Sequence, residues 1–251
     1  MDIYRKNFTI RYSETGIDGK LRPINIFHFF QDTASEHAYE MAVSGLHLRP
    51  LKRAWVVMRY QVDIIKYPKW NETITLSTWR QPHKNLYELR AFDICDNAGQ
   101  TLISGKTAWV MIDTERKKPV RLDRNMPAHL LTDNTPVEND FLEIPPVVAE
   151  EHETLFRTRR ADLDFNAHVN NAIFIAWALE TGPEEVILHQ LPCRIAVNYQ
   201  ADVQYGAIIR VAAQQVEKEP FPVLAHRISR HDDDRELTQL LIAWKSFSEP
   251  D

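Results

Sequence analysis

The amino-acid sequence predicts an α+β protein made of two tandem copies of one unit, each a long apolar helix packed against an antiparallel sheet. Three observations carry this. A strand, a long helix and four β-rich runs follow one another in the first half; the same order returns in the second half with matching residue strings; and between the two, the texture from Asp123 to Glu150 loses its periodicity. The chain of 251 residues therefore divides into an N-terminal unit over 1–125, a linker over 126–150 and a C-terminal unit over 151–251.

Taken in order, Phe8-Thr9-Ile10-Arg11-Tyr12 alternates apolar and polar side chains, which predicts a strand. Ser13 to Lys20, with Gly16 and Gly19, reads as a loop. Pro23 sits where a first helical turn accepts it, and Ile26, Phe27, Phe29, Phe30, Ala34 and Ala38 give a dense apolar face running toward Gly45, the predicted stop. After the basic connector Arg49, Lys52 and Arg53 come four strands, Trp55 to Ile65, Thr73 to Arg80, Leu86 to Cys95 and Thr101 to Asp113, with Asp96-Asn97-Ala98-Gly99 as a hairpin turn. Pro127, Pro136, Pro145 and Pro146 then interrupt a stretch carrying Asp133, Glu138, Asp140, Glu143 and Glu150, which predicts the linker. Beyond it, Phe156 to Arg160 echoes Phe8 to Tyr12 at an offset of 148 residues. Tyr199-Gln200-Ala201-Asp202 echoes Tyr60-Gln61-Val62-Asp63 at 139, and Ala243-Trp244 echoes Ala108-Trp109 at 135. The polar turn His231 to Asp234 answers Asp96 to Gly99 at that last spacing. Ordered echoes with falling offsets read as a duplication whose connectors have shortened.

The chemistry concentrates in Arg160-Ala161-Asp162-Leu163-Asp164-Phe165-Asn166-Ala167-His168-Val169-Asn170-Asn171, which runs straight into the apolar segment Ala172 to Leu179. In extended chain, alternate side chains share a side, so Asp164, Asn166 and His168 would point into one pocket. The same residue types also cap helices and satisfy their first N–H groups, and spacing alone leaves both readings open. The first half has no such triplet between Ser13 and Lys20, so one site per chain is expected. Asp162 is expected to pair with a neighbouring Arg.

Composition excludes several classes. The hydrophobic content of 44% and charged content of 26% are those of an ordinary globular chain. A net charge of −5 argues against a nucleic-acid partner. Met1 to Lys6 lacks the apolar run of a secretion signal and no stretch is long and apolar enough to span a membrane, which predicts a cytoplasmic protein. Cys95 and Cys193 read as buried free thiols rather than a disulfide framework. The remaining histidines, such as His28, His37 and His226, form no metal-ligand pattern. No Gly-x-Ser-x-Gly elbow is present.

Across nearly its whole length the chain resembles the acyl-acyl-carrier-protein thioesterases of plants and bacteria. The resemblance rests on Phe27-His28-Phe29-Phe30-Gln31-Asp32-Thr33-Ala34, Tyr67-Pro68-Lys69-Trp70 and Thr78-Trp79 in the first half, and on Asp164-Phe165-Asn166-Ala167-His168-Val169-Asn170-Asn171 in the second. It implies a tandem (double) hot-dog fold, each unit a long helix wrapped by a curved antiparallel sheet. It further implies hydrolysis of fatty acyl-carrier-protein thioesters without cofactor or metal, with the acidic carrier protein as partner. Asp164, Asn166 and His168 match the family's catalytic loop, and Asp202 takes the place of a catalytic glutamate in the plant enzymes. Val203 stands where those enzymes have a cysteine once assigned as nucleophile.

On this reading a carboxylate activates water or attacks directly, and the free N–H groups at Val169, Asn170 and Asn171 polarise the carbonyl. Asp202 has a structural alternative as a strand-end feature shared with Asp63. Phe27, Phe29 and Phe30 are core residues by type, and Phe27 and Phe30 line an acyl tunnel by hypothesis. Arg116-Lys117-Lys118 with Arg121 and Arg124, or Arg157 with Arg159 and Arg160, would dock the carrier unless they are ordinary solvated faces. An acyl-CoA thioesterase, a non-catalytic acyl-thioester sensor and a double hot-dog hydratase are the competing readings, and a homodimer is left open.

Overall fold

The protein is described from a computed structural model covering residues 3–82, 86–131, 141–218 and 220–246. It forms two compact units, residues 1–60 with 65–141 and residues 61–64 with 142–251.

The first unit contains β1 (Ile3–Thr9), α1 (Pro23–Glu40), a short α2 (Gly45–Leu48), β2 (Arg53–Ile64), β3 (Thr73–Pro82), β4 (Tyr87–Cys95), β5 (Thr101–Asp113), the two-residue β6 (Lys118–Pro119) and α3 (Leu122–Asn125). Its strands follow the order β1-β3-β4-β5-β2, with β6 beside β5. The β1–β3, β3–β4 and β4–β5 pairs are antiparallel. Helix α1 begins at Pro23, whose missing N–H costs nothing in a first turn. It buries Ile26, Phe27, Phe29, Phe30, Thr33, Ala34 and His37 against the sheet. Phe30 stacks on Phe92 at 4.3 Å between ring centroids, and Phe27 meets Tyr60 edge-on at 5.4 Å. Phe30 also lies on Gly105 in β5, where an added Cβ would come within 2.3 Å of its ring.

The helix stops before the predicted Gly45. Ala42 takes a left-handed φ of 55°, Ala42 N–H donates to the Tyr39 carbonyl and Val43 N–H to that of Ala38. This is a Schellman closure with alanine in the position that glycine usually fills. The hairpin at Asp96 to Gly99 forms as read, with Gly99 at φ 81° and Asp96 Oδ1 accepting from the Ala98 and Gln100 amides. Four of the predicted linker residues, Asp133, Pro136, Glu138 and Asp140, lie outside the described residues. Cys95 and Cys193 are free but half-buried rather than fully enclosed.

The second unit contains β7 (His152–Arg157), α4 (Asn171–Leu179), α5 (Glu184–His189), β8 (Leu191–Tyr199), β9 (Ile208–Glu217), β10 (Val223–Arg230) and β11 (Glu236–Lys245). The order β8-β11-β10-β9-β7 is antiparallel throughout. Helix α4 is apolar nearly all round, as a helix enclosed by a sheet should be. It buries Ala172, Phe174, Ile175, Trp177 and Ala178. Phe174 meets Tyr199 edge-on, and Trp177 stacks with Phe156.

The two units share their internal hydrogen bonding, which corrects one of the echoes. Ile65 and Lys66 donate to the Leu102 carbonyl, as Gln200 and Ala201 donate to that of Leu237. These pairs equate Gln200 with Ile65, so the structural counterpart of Asp202 is Tyr67, not Asp63. The repeated Tyr-Gln-x-Asp string is a coincidence of residue types.

Candidate active site

The loop that leads into α4 is built from Arg159 onward. Arg159 N–H donates to Asp162 Oδ2 at 2.7 Å and its guanidinium to Oδ1 at 2.8 Å. The Asp162 carboxylate is 1% exposed and is braced by an arginine that itself faces solvent. The Asp162 carbonyl then accepts from Asn170 N–H at 2.8 Å. Between them, Leu163 and Val169 form a β-bridge and Asp164 N–H donates to the His168 carbonyl. Asp164 Oδ1 accepts from Asn166 N–H at 2.8 Å and from His168 N–H at 3.3 Å, and Ala167 turns the chain at φ 61°.

The segment is thus a tight turn, not the extended chain that the alternation predicts. The backbone closes the turn through the Leu163–Val169 bridge and the Asp164-to-His168 bond, and the Asp164 side chain adds two more bonds to it. Asn166 lies exposed at the tip, and Asp164 and His168 are half-exposed. Asp202 comes from the irregular segment after β8, and its Oδ2 lies 3.2 Å from His168 Nε2. Besides the Gln200 and Ala201 bonds to Leu237, further bonds hold that segment against the loop and the end of β7. Val169 N–H donates to the Val203 carbonyl at 3.0 Å, the buried Thr158 hydroxyl to that of Gln204 at 2.8 Å, and Gly206 N–H to that of Thr158 at 3.3 Å. Gly206 sits at φ 85°, a conformation that glycine adopts freely.

Of the expected carbonyl-polarising groups, Val169 N–H is spent on Val203 and Asn170 N–H on Asp162; the next amide, Ala172 N–H, donates to the Asn170 side chain, which caps α4 at 2.9 Å. Among the described residues this leaves Asn171 N–H at the helix start. The Tyr199 hydroxyl, which sequence reading missed, donates to the Asn171 carbonyl at 2.8 Å and fixes that first turn. Phe27 and Phe30 are buried in the core of the first unit.

The first unit repeats the backbone bonds of the turn and its Arg-to-acid brace. Arg11 braces Glu14, Arg22 N–H donates to the Glu14 carbonyl, Gly16 N–H to that of Lys20, Thr15 bridges Leu21, and Gly19 turns the chain at φ 71°. Yet Gly16 replaces Asp164, Asp18 replaces Asn166, Lys20 replaces His168 and Tyr67 replaces Asp202. The framework is common to both units and the carboxylate–imidazole set occurs in the second.

The acyl-ACP thioesterase N-terminal domain matches residues 1–130, and the acyl-ACP thioesterase C-terminal domain matches residues 147–246. The chain belongs to the acyl-ACP thioesterase family.

Within that family it is 26% identical to the acyl-[acyl-carrier-protein] hydrolase FATB2, chloroplastic, of Cuphea viscosissima, over 97% of this chain and 63% of that protein. It is 30% identical to the oleoyl-acyl carrier protein thioesterase, chloroplastic, of Coriandrum sativum, over 82% of this chain and 61% of that one. The chain thus spans about three-fifths of the length of these plant relatives. Its fold is that of the 12:0-ACP thioesterase from Umbellularia californica, with a TM-score of 0.84 at 22% identity over 97% of this chain and 94% of that one. The acyl-ACP thioesterase from Bacteroides thetaiotaomicron gives 0.83 at 18% identity, over 97% and 98%. The tandem hot-dog architecture expected of an acyl-ACP thioesterase is therefore the observed one, and among the described residues no helix is long and apolar enough to cross a membrane.

Proposed function

We propose that the chain hydrolyses the thioester of a fatty acyl-acyl carrier protein, releasing the fatty acid and ending its elongation. The observation that supports this best is the asymmetry between two otherwise identical turns. The same backbone bonds form in the first unit with Gly16, Asp18 and Lys20 in these places, so Asp164, Asn166, His168 and the His168–Asp202 pair are not required by the turn.

In this reading Asp164, Asn166, His168 and Asp202 form the catalytic set. Asp164 Oδ1 is held by two backbone amides, and Oδ2 takes a proton from the water that attacks the carbonyl carbon. Negative charge developing on the carbonyl oxygen meets Asn171 N–H at the start of α4 and the Asn166 carboxamide. The C–S bond then breaks, and the sulfur leaves as a thiol with a proton from His168, which Asp202 holds in place. The proton on Asp164 restores His168. Val203 offers no thiol, so the route involves no cysteine at that position. Residues 1–125 would hold the acyl chain, with Phe27 and Phe30 beside it, residues 126–150 would link, and residues 151–251 would carry the chemistry. The carrier protein would meet basic side chains that, among the described residues, are not committed to carboxylates. Arg121 pairs with Asp123 and Arg159 with Asp162, which favours Arg116, Lys117, Lys118 and Arg124, or Arg157 with Arg160. The cytoplasmic placement expected from the sequence is kept as part of this proposal.

The experiment is thiol release from matched acyl-carrier-protein and acyl-CoA thioesters. Asp164→Asn and His168→Ala should lower kcat by ~10²- to 10⁴-fold. Activity within a few-fold of the parent would remove these residues from the mechanism. Release from CoA alone would move the substrate class, and release from neither would make the chain a binding protein.

A further inference from the structure

The turn of the first unit lacks the reacting groups but displays apolar side chains to solvent. Ile17 at its tip is 106% exposed, Tyr12 81% and Trp70 60%. They stand on stapled backbone. Thr15 N–H donates to the Tyr12 carbonyl, Gly16 N–H to that of Lys20 and Trp70 N–H to that of Gly19 at 2.9 Å, while Lys20 bridges Lys69. Tyr12 and Trp70 meet edge-on with ring centroids 6.3 Å apart. A fixed display of an aliphatic tip and two amphipathic rings is unfavourable in water and calls for a covering surface.

The surrounding charge narrows what that surface is. Arg11, Lys20, Arg22, Lys66 and Lys69 belong to this turn and the adjoining Lys66–Glu72 segment, against Glu14, Asp18 and Glu72. Glu14 is buried on Arg11 and Asp18 lies 3.9 Å from Lys20. The balance is positive on a chain whose net charge is −5. Tyr and Trp rings with an aliphatic tip, set among lysines and arginines, match the layered chemistry of a bilayer surface, where rings sit at headgroup depth and ammonium groups meet phosphate. An acidic protein bearing the thioester has its reason to dock at the turn with the reacting groups, in the second unit. There Phe165 and Tyr205, 72% and 63% exposed, hold the places of Ile17 and Trp70, but the position of Tyr12 is held by Arg160, a charged residue.

We propose that the Tyr12, Ile17 and Trp70 tip of the first unit docks the protein on an anionic phospholipid surface. Docking of this kind is peripheral and reversible, and it stands independently of the hydrolysis reading.

The test is co-sedimentation of the full chain with vesicles of phosphatidylcholine alone or mixed 3:1 with phosphatidylglycerol. Binding is expected to the mixed vesicles only, and to fall in high salt. The double variant Ile17→Ser/Trp70→Ser should reduce the bound fraction by at least about fivefold, while Leu188→Ser, an exposed site in the second unit, should not. Far-UV circular dichroism checks that each variant folds, and Lys66→Glu/Lys69→Glu gives a second route that leaves the apolar tip intact. Quenching of tryptophan fluorescence by brominated lipid should be lost in Trp70→Phe. Absence of binding to the mixed vesicles, or equal binding by parent and both double variants, would overturn the proposal. So would loss of carrier-protein capture or of self-association in the Ser variants without any vesicle binding, because the tip would then be a protein interface.

Discussion

Replacing His226 tests a link between acid stability and the helix that carries the site. His226 lies in β10, 1% exposed, with Nε2 2.9 Å from the carbonyl of Thr181, just beyond the end of α4. Burial pushes its pKa down from 6.5 to about 4, against weaker raising contributions from the Thr181, Leu224 and Ala178 backbone; proximity to His152 also lowers it. Between those two values the unfolded chain binds a proton that the folded protein refuses. Stability therefore rises with pH through this window, is fully present above about pH 6.5 and is lost as the pH falls toward 4. At 1.36 kcal/mol per pH unit the whole effect is ~3 kcal/mol, of which ~2 kcal/mol falls between pH 7 and 5. Urea unfolding of the parent and His226→Gln at pH 7, 6 and 5 measures it. The variant should be the less stable protein at pH 7, where a hydrogen-bonded buried ring is lost. The gap between the two should narrow by ~2 kcal/mol on going to pH 5. Carboxylates elsewhere titrate in both proteins and cancel in the difference. Parallel losses in parent and variant would show that His226 does not resist protonation in the fold.

Two further substitutions test the frame. Ala42→Gly should stabilise the first unit by ~0.5–1 kcal/mol, because the left-handed position that ends α1 carries a Cβ it would be better without; a loss of stability in urea unfolding would mean that the alanine methyl packs usefully. Gly105→Ala should cost ~1–3 kcal/mol by driving a methyl into Phe30, and Phe30→Leu in the same chain should recover part of it. Additive losses in the double variant would place the strain elsewhere.

Much of the fold was legible because its signals are periodic. The apolar face of α1, the four strands of the first half and the Asp96 to Gly99 hairpin follow from residue spacing and turn chemistry. The end of α1 was not, since nothing in Ala42 announces a left-handed residue; the closure is chosen by the backbone bonds of Ala42 and Val43 and the burial of Val43. The candidate loop was legible in its residue types and misread in its shape. Alternation suggested a strand, but the chain folds back through the Leu163–Val169 bridge and the Asp164-to-His168 backbone bond, a turn that the first unit also makes with Gly16 in that place. The amides expected to meet a substrate carbonyl at Val169 and Asn170 are consumed by Val203 and Asp162, partners that sequence distance hides. The false echo between Asp63 and Asp202 has the same origin: a string match weighs residue names, whereas equivalence is decided by which carbonyl each amide reaches.

The shared turn has a consequence for how such a protein can change. In an assembly of two identical chains every substitution appears twice, so a carboxylate gained or lost at one turn is gained or lost at both. Joining the copies in a single chain removes that coupling. Gly16 and Asp164 can then differ, as can Lys20 and His168, while the Arg-to-acid brace and the amide-to-carbonyl bonds that shape both turns stay the same. Covalent linkage lets two copies of one scaffold diverge: one turn carries a carboxylate and an imidazole where the other carries a glycine and a lysine.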